Sequence, residues 1–98
     1  MSEKVNKEQI NKAFDAVKTK LEKAMGKYGN KPFSSVYSAM GVLLEEWNEV
    51  QQAIHEHKEI HPEVLSEFED LCVVALWSVA SFQSKLGEKQ HRIGDVLP

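Results

Sequence analysis

The sequence is short of the residues that mark several protein classes. Its 98 residues include one cysteine, Cys72, which excludes an intramolecular disulfide framework and a cysteine-based zinc site. With only three prolines and five glycines, it is neither a collagen-like repeat nor a low-complexity chain. No apolar run approaches the ~18 residues that a membrane span needs, and residues 1–7 are polar and lead into no signal-peptide core. These absences predict a single cytoplasmic domain over residues 1–98, with no membrane partner.

The charges are unevenly distributed along the chain. Residues 1–31 hold eight lysines and four acidic residues, whereas residues 32–84 hold one lysine and nine acidic residues. The basic block has no arginine, the residue that base readout favours, so nucleic acid is not expected as a partner. The acidic block is also the most apolar part of the chain, and unpaired buried carboxylates are costly. Its acids are therefore expected either to face water or to surround a cation.

The spacing of apolar residues predicts an all-α fold. Three helices are expected, at about residues 5–26, 35–58 and 62–86. Each begins with a recognisable signal, namely an Asn6–Gln9 capping box, a Ser34 or Ser35 cap, and Pro62 at a first helical position. Gly87 is expected to end the third helix, and residues 88–98 are expected to be irregular.

The third predicted helix is too apolar for one copy of the chain to cover. It carries no charged residue from Leu71 to Phe82. A helix that is apolar nearly all round must be covered nearly all round, and two neighbouring helices cannot do so. The second helix also carries an apolar seam, made of Val36, Met40, Leu43, Trp47, Val50 and Ile54. We therefore expect homo-oligomerisation to complete the helical hairpin or bundle, with Cys72 as a buried thiol.

Two pairs of acidic residues are spaced to share helix faces. Glu46 and Glu49 lie three apart on the second helix, and Glu67 and Asp70 lie three apart on the third. In an antiparallel hairpin centred on Lys58, both pairs stand at the same height, ~13 Å from the turn for the nearer acids. Four convergent carboxylates repel each other unless cations or protons intervene, and Mg²⁺ prefers such oxygen ligands. The alternative is that all four face water.

These acids resemble a family signature. Residues 44–49 and 67–70 are similar to the EExxE…ExxD motif of MazG-like enzymes, which are all-α nucleoside triphosphate pyrophosphohydrolases, and the resemblance covers about residues 35–85. It implies a dimer or tetramer that completes its site across subunits. It also implies Mg²⁺-dependent cleavage (Mn²⁺ is possible) of an NTP or dNTP to the monophosphate and pyrophosphate. The matching positions imply Glu46, Glu49, Glu67 and Asp70 as metal ligands and, together with Glu45, as the catalytic acids.

The substrate-binding residues implied by the resemblance are less complete. Larger family members carry a basic stretch with asparagine after the third helix, where this chain has only a few basic residues. Lysines near the first loop are alternative phosphate ligands, and aromatic residues could stack on a nucleobase or simply pack. The candidates are Lys27, Lys31, Phe33, Trp77, Lys85, Lys89 and Arg92.

Three alternatives stay open from the sequence. His55, His57 and His61 lie at the predicted turn, which we interpret as solvated, with a zinc or nickel site as the alternative. Within the same chemistry, a phosphoribosyl-nucleotide substrate is also possible. From a different class, the chain could be a non-catalytic homo-oligomeric interaction module that retains the fold. Dependence on a divalent ion would separate the enzyme from the module.

Overall fold

The fold consists of three α-helices. The computed structural model describes the backbone of residues 4–96 and the side chains of residues 4–87. The helices are α1 (Lys7–Tyr28), α2 (Val36–His57) and α3 (Pro62–Val96), and no β-strand occurs in the described backbone. The predicted all-α class is therefore confirmed. No helix in this part of the chain is long and apolar enough to cross a bilayer.

The helices begin where local capping chemistry places them. The Asn6 side chain accepts a hydrogen bond from the Gln9 N–H at 2.9 Å, and the Gln9 side chain accepts one from the Asn6 N–H at 2.8 Å. Ser35 and Ser38 exchange hydrogen bonds in the same way at the start of α2. Pro62 is the first residue of α3. These contacts satisfy backbone donors that a helix start leaves unpaired, and they confirm the predicted starts.

The first two helices end within two residues of the predicted positions, whereas the third does not. Gly29 follows α1 with φ 85°, and Lys58 follows α2 in the left-handed region with φ 57°. The expected stop at Gly87 is wrong, because α3 continues to Val96, and residues 88–96 are helical rather than irregular. A single helical glycine costs only about 1 kcal/mol, and the neighbouring Lys, Leu, Glu and Gln residues favour helix.

Helix α3 is the element on which the others pack. Helices α2 and α3 form an antiparallel hairpin, while α1 packs on α3 without contacting α2 in the described region. Within residues 4–87 the buried apolar side chains are few, namely Ala39, Val50, Ala53 and Val74, and α1 contributes none. A gap therefore remains between α1 and α2, with α3 as its floor.

The loop between α1 and α2 is tied to α3 by three hydrogen bonds. Trp77 Nε1 donates to the Lys31 carbonyl at 3.3 Å, the Phe33 N–H donates to Ser81 Oγ at 3.1 Å, and Lys85 Nζ donates to the Ser34 carbonyl at 3.0 Å. Ser81 is itself buried. The loop is therefore held over the gap at the end opposite the hairpin turn.

The single chain leaves much apolar surface uncovered. Its extents are 60 × 30 × 24 Å and its radius of gyration is 17.2 Å, against about 13 Å for a compact chain of this length. Exposed apolar side chains form one stripe on α2 (Val36, Met40, Leu43, Trp47 and Ile54) and another on α3 (Leu65, Phe68, Leu76, Val79 and Leu86). The expectation that Cys72 is buried is wrong for one chain, because its thiol lies beside the α3 stripe and is exposed.

Candidate active site

The α2–α3 hairpin gathers three of the predicted acids. Glu46 and Glu49 project from α2 towards Glu67 on α3, and each offers a carboxylate oxygen within 4.8 Å of the other two. We call these three residues the glutamate cluster. The acids meet because the turn after Lys58 reverses the chain with the register that the sequence symmetry indicates.

The glutamate cluster is electrostatically strained when it holds no cation. Burial, followed by the charge of Glu49, raises the pKa of Glu46 from 4.5 to about 7. Burial, again followed by the charge of Glu49, raises the pKa of Glu67. Glu46 Oε2 and Glu67 Oε2 are both buried and have no hydrogen-bond partner among the described residues. Two such oxygens in one cluster fit a hard divalent cation such as Mg²⁺ or Mn²⁺, which would supply the missing partner.

Asp70, the fourth predicted ligand, is engaged by a lysine. Its Oδ1 accepts a hydrogen bond from Lys20 Nζ at 3.0 Å, and it is not part of the glutamate cluster. The same ammonium lies 3.3 Å from Glu69 Oε1 and donates to the Ser66 side chain at 2.8 Å. Burial opposes the charge of Lys20, but the carboxylates of Asp70 and Glu69 outweigh it and hold the pKa of Lys20 above its ordinary value.

Lys20 was not predicted as a site residue, although the sequence holds a signal for it. It lies on the same face of α1 as Val17, Leu21 and Ala24, so it interrupts an otherwise apolar stripe. A lysine in that position needs an acidic partner on the helix against which α1 packs. Which acid would meet it depends on how α1 lies on α3, and spacing alone does not give that.

A pocket of about 650 Å³ opens between α1 and α2 beside the acids. Its polar lining residues are Lys20, Lys31, Glu45, Glu46 and Asp70, and its apolar and aromatic ones include Leu21, Met25, Tyr28, Phe33, Val42, Val73, Val74 and Trp77. Such a volume, largely apolar with a few charged groups, is typical of small-molecule sites. Tyr28 and Met25 were not predicted as site residues.

The predicted substrate-binding residues fall into three groups. Lys31, Phe33 and Trp77 line the pocket. Lys27 and Lys85 do not line the pocket. The Lys27 ammonium lies 5.2 Å from the centroid of the Tyr28 ring, and the Lys85 ammonium donates a hydrogen bond to the Ser34 carbonyl. The remaining two, Lys89 and Arg92, have side chains outside the described residues.

The histidines at the turn form a packed structural contact. The rings of His57 and His61 stack with centroids 3.6 Å apart, and both are half-buried, so the expected solvated turn is wrong for these two residues. His57 Nε2 lies 2.8 Å from Glu63 Oε2, and His61 Nδ1 accepts from the Glu63 N–H at 3.0 Å. These three side chains offer grouped ligand atoms. However, parallel rings cannot both direct a nitrogen lone pair at one ion, and two ring nitrogens already have partners, which favours a turn-capping role.

Comparison with known proteins does not assign this chain to a family. Neither protein-family models, nor curated proteins, nor solved structures give a match to this chain. The resemblance to MazG-like enzymes therefore stays a prediction that rests on the motif residues of the sequence.

Proposed function

We propose that this chain is a Mg²⁺-dependent nucleoside triphosphate pyrophosphohydrolase of the MazG-like type. One observation carries the proposal: the positions that match EExxE…ExxD bring Glu46, Glu49 and Glu67 together with two unpartnered buried oxygens. The neighbouring pocket of about 650 Å³ supports the same function, because it can receive a nucleotide beside the cluster. Mn²⁺ is the alternative metal for these oxygen donors.

The proposed reaction cleaves the substrate between its α- and β-phosphates. Water attacks the α-phosphorus, the bond from that phosphorus to the bridging oxygen breaks, and pyrophosphate leaves with the bridging oxygen. The bound metal would neutralise the phosphate oxygens and stabilise the leaving group. Glu45 lines the pocket but lies outside the glutamate cluster. It is therefore free to orient the water and accept its proton.

The pocket suggests how the substrate lies. Trp77 and Phe33 line it together with Val42 and Val73. An apolar and aromatic surface of this kind suits a nucleobase, which can stack on an aromatic ring. The acids and Lys20 line the same pocket, so the triphosphate is proposed to extend towards them, and the base to lie against Trp77 and Phe33.

We propose self-association as part of the same account. The exposed apolar stripes on α2 and α3 run along the two helices of the hairpin. Two hairpins that pack these stripes together form a four-helix arrangement, which a two-fold axis allows. A dimer or tetramer would thereby cover surface that one chain leaves open.

The test of the proposed site is the substitution Glu49→Gln. The amide keeps the size of the side chain but removes a charged ligand, so Mn²⁺ binding by calorimetry and pyrophosphate release should both be lost, with the oligomer intact. Glu56→Gln, on an exposed residue of the same helix, is the matched control and should behave as the wild type. Hydrolysis at the wild-type rate by Glu49→Gln would show that the carboxylate assignment is wrong.

The second candidate function is a non-catalytic, homo-oligomeric interaction module. The exposed apolar stripes favour it, because they indicate binding to another helical surface whether or not the acids do chemistry. The two functions differ in their response to a divalent ion. An oligomer that neither binds Mn²⁺ nor releases pyrophosphate would favour the module.

A further inference from the structure

Lys20 is a cation held at the wall of the candidate pocket. Its ammonium donates hydrogen bonds to the Ser66 carbonyl at 3.0 Å, to Ser66 Oγ at 2.8 Å and to Asp70 Oδ1 at 3.0 Å, and it lies 3.3 Å from Glu69 Oε1. An ammonium group donates three hydrogen bonds, so all three are used within the chain, and a new acceptor must displace one of them. Lys20 and Asp70 both line the pocket.

The Lys20–Asp70 contact lies where the proposed metal centre would draw on the same carboxylate. Lys20 uses Oδ1 of Asp70, and a divalent ion that ligated this carboxylate would draw negative charge away from the ammonium and weaken the ion pair. The side chains of Lys20 and Asp70 are 30% and 40% exposed. Ion pairs with this much solvent contact are weak, so this one can exchange.

The contacts of the other lysines indicate which of them could bind a phosphate group in the pocket. Lys85 is bonded to a loop carbonyl, and Lys27 lies over Tyr28. Among the residues whose side chains are described, Lys20 and Lys31 are the lysines that line the pocket. Of these two, Lys20 is the one in contact with a predicted metal ligand.

We propose that Lys20 is a substrate-binding residue that exchanges Asp70 for a phosphate group. In the metal-free chain, Asp70 holds the ammonium at the pocket wall. When a divalent ion takes Asp70 as a ligand, the ammonium is released towards the pocket and binds an oxygen of the polyphosphate. This inference rests on the proposed function, because it needs both the metal and the triphosphate.

The substitution Lys20→Gln should change two binding affinities in opposite directions if Lys20 exchanges Asp70 for a phosphate. Without the ammonium, Asp70 is free, so Mn²⁺ alone should bind about two- to fivefold more tightly. Inorganic tripolyphosphate, added with saturating Mn²⁺, should bind about tenfold more weakly, because a charge-assisted contact is lost. Loss of packing alone would change both affinities in the same direction, so opposite changes would identify the charge of Lys20 as the cause.

Titration calorimetry on the full chain measures both affinities, with circular dichroism to verify the fold. Lys20→Arg keeps the charge and should retain tripolyphosphate binding. Lys23→Met, on an exposed residue of the same helix, should change neither affinity. Wild-type affinities for both probes in Lys20→Gln would overturn the Lys20 inference and leave the metal site standing. If the wild-type chain binds no Mn²⁺, the proposed function fails and this inference fails with it.

Discussion

At the scale of single residues, Glu46 makes the stability of the chain depend on pH. Its pKa is about 7 in the folded chain, against 4.5 ordinarily. At a pH between these two pKa values, Glu46 holds a proton in the folded state that it has lost in the unfolded state. The free energy of unfolding therefore falls as the pH rises through that range. Glu67, whose pKa is also raised, acts in the same direction.

Glu46→Gln should remove most of this pH dependence. The neutral amide keeps the shape of the side chain and ends its repulsion with Glu49. Above pH 7, in the absence of metal, we expect the free energy of unfolding to rise by about 1 kcal/mol, after allowance for solvent screening. Urea denaturation below and above that pH range measures this. A variant with the wild-type pH slope would contradict the cause assigned to the pKa of Glu46.

Substitution of Glu45 should slow hydrolysis without weakening metal binding. Because Glu45 lies in the pocket but outside the glutamate cluster, Glu45→Gln should lower kcat by about 100-fold while the Kd for Mn²⁺ stays unchanged. Steady-state kinetics and calorimetry on the same preparation check this. A weakened Mn²⁺ affinity in Glu45→Gln would place this acid among the metal ligands instead.

The meeting of the glutamates was predictable from the sequence, whereas the partner of Asp70 was not. Glu49 and Glu67 lie at equal distances from Lys58, so one short turn fixes their register. The Lys20–Asp70 contact joins two helices that are far apart in sequence, and it depends on the packing angle of α1. No periodicity within α1 specifies that angle.

At the scale of the helices, two nearby glycines should respond oppositely to the same substitution. Gly29 has φ 85° and ψ −173°, a conformation that side chains disfavour, so Gly29→Ala should cost about 1–3 kcal/mol of stability. Gly26 lies inside α1, and a Cβ added there would meet no atom within 4 Å. Gly26→Ala should therefore stabilise the chain by about 0.5–1 kcal/mol. Urea denaturation of both variants checks the pair, and destabilisation by Gly26→Ala would contradict it.

Helix starts were predictable because their causes are local, and the end of α3 was not. The Asn6–Gln9 exchange involves residues three apart, and Ser35 caps α2 through Ser38 in the same way. Gly87 is also a local signal, but it is a weak one, and the helix-favouring residues around it outweigh its cost. The full length of α3 therefore depends on the summed helix propensity of the segment around Gly87 rather than on Gly87 alone.

At the scale of the whole molecule, the α3 stripe should be an interface between copies. Leu76 is exposed near the middle of this stripe, next to the exposed Cys72. Leu76→Glu should shift the sedimentation coefficient to that of a monomer, since burying a carboxylate in an apolar contact is unfavourable. The Cys72 thiol should then react faster with a disulfide reagent than it does in the wild type. A wild-type chain that sediments as a monomer with a fully reactive thiol would contradict self-association.

We propose that the glutamate cluster and its pocket together hydrolyse a nucleoside triphosphate to the monophosphate and pyrophosphate. The most direct measurement incubates the purified chain with each of the common ribo- and deoxyribonucleoside triphosphates, in Mg²⁺, in Mn²⁺ and in EDTA, and measures pyrophosphate and monophosphate. We expect equal amounts of both products from at least one substrate, dependent on the metal and absent in Glu49→Gln. No pyrophosphate from any substrate with either metal, from a folded chain, would contradict it.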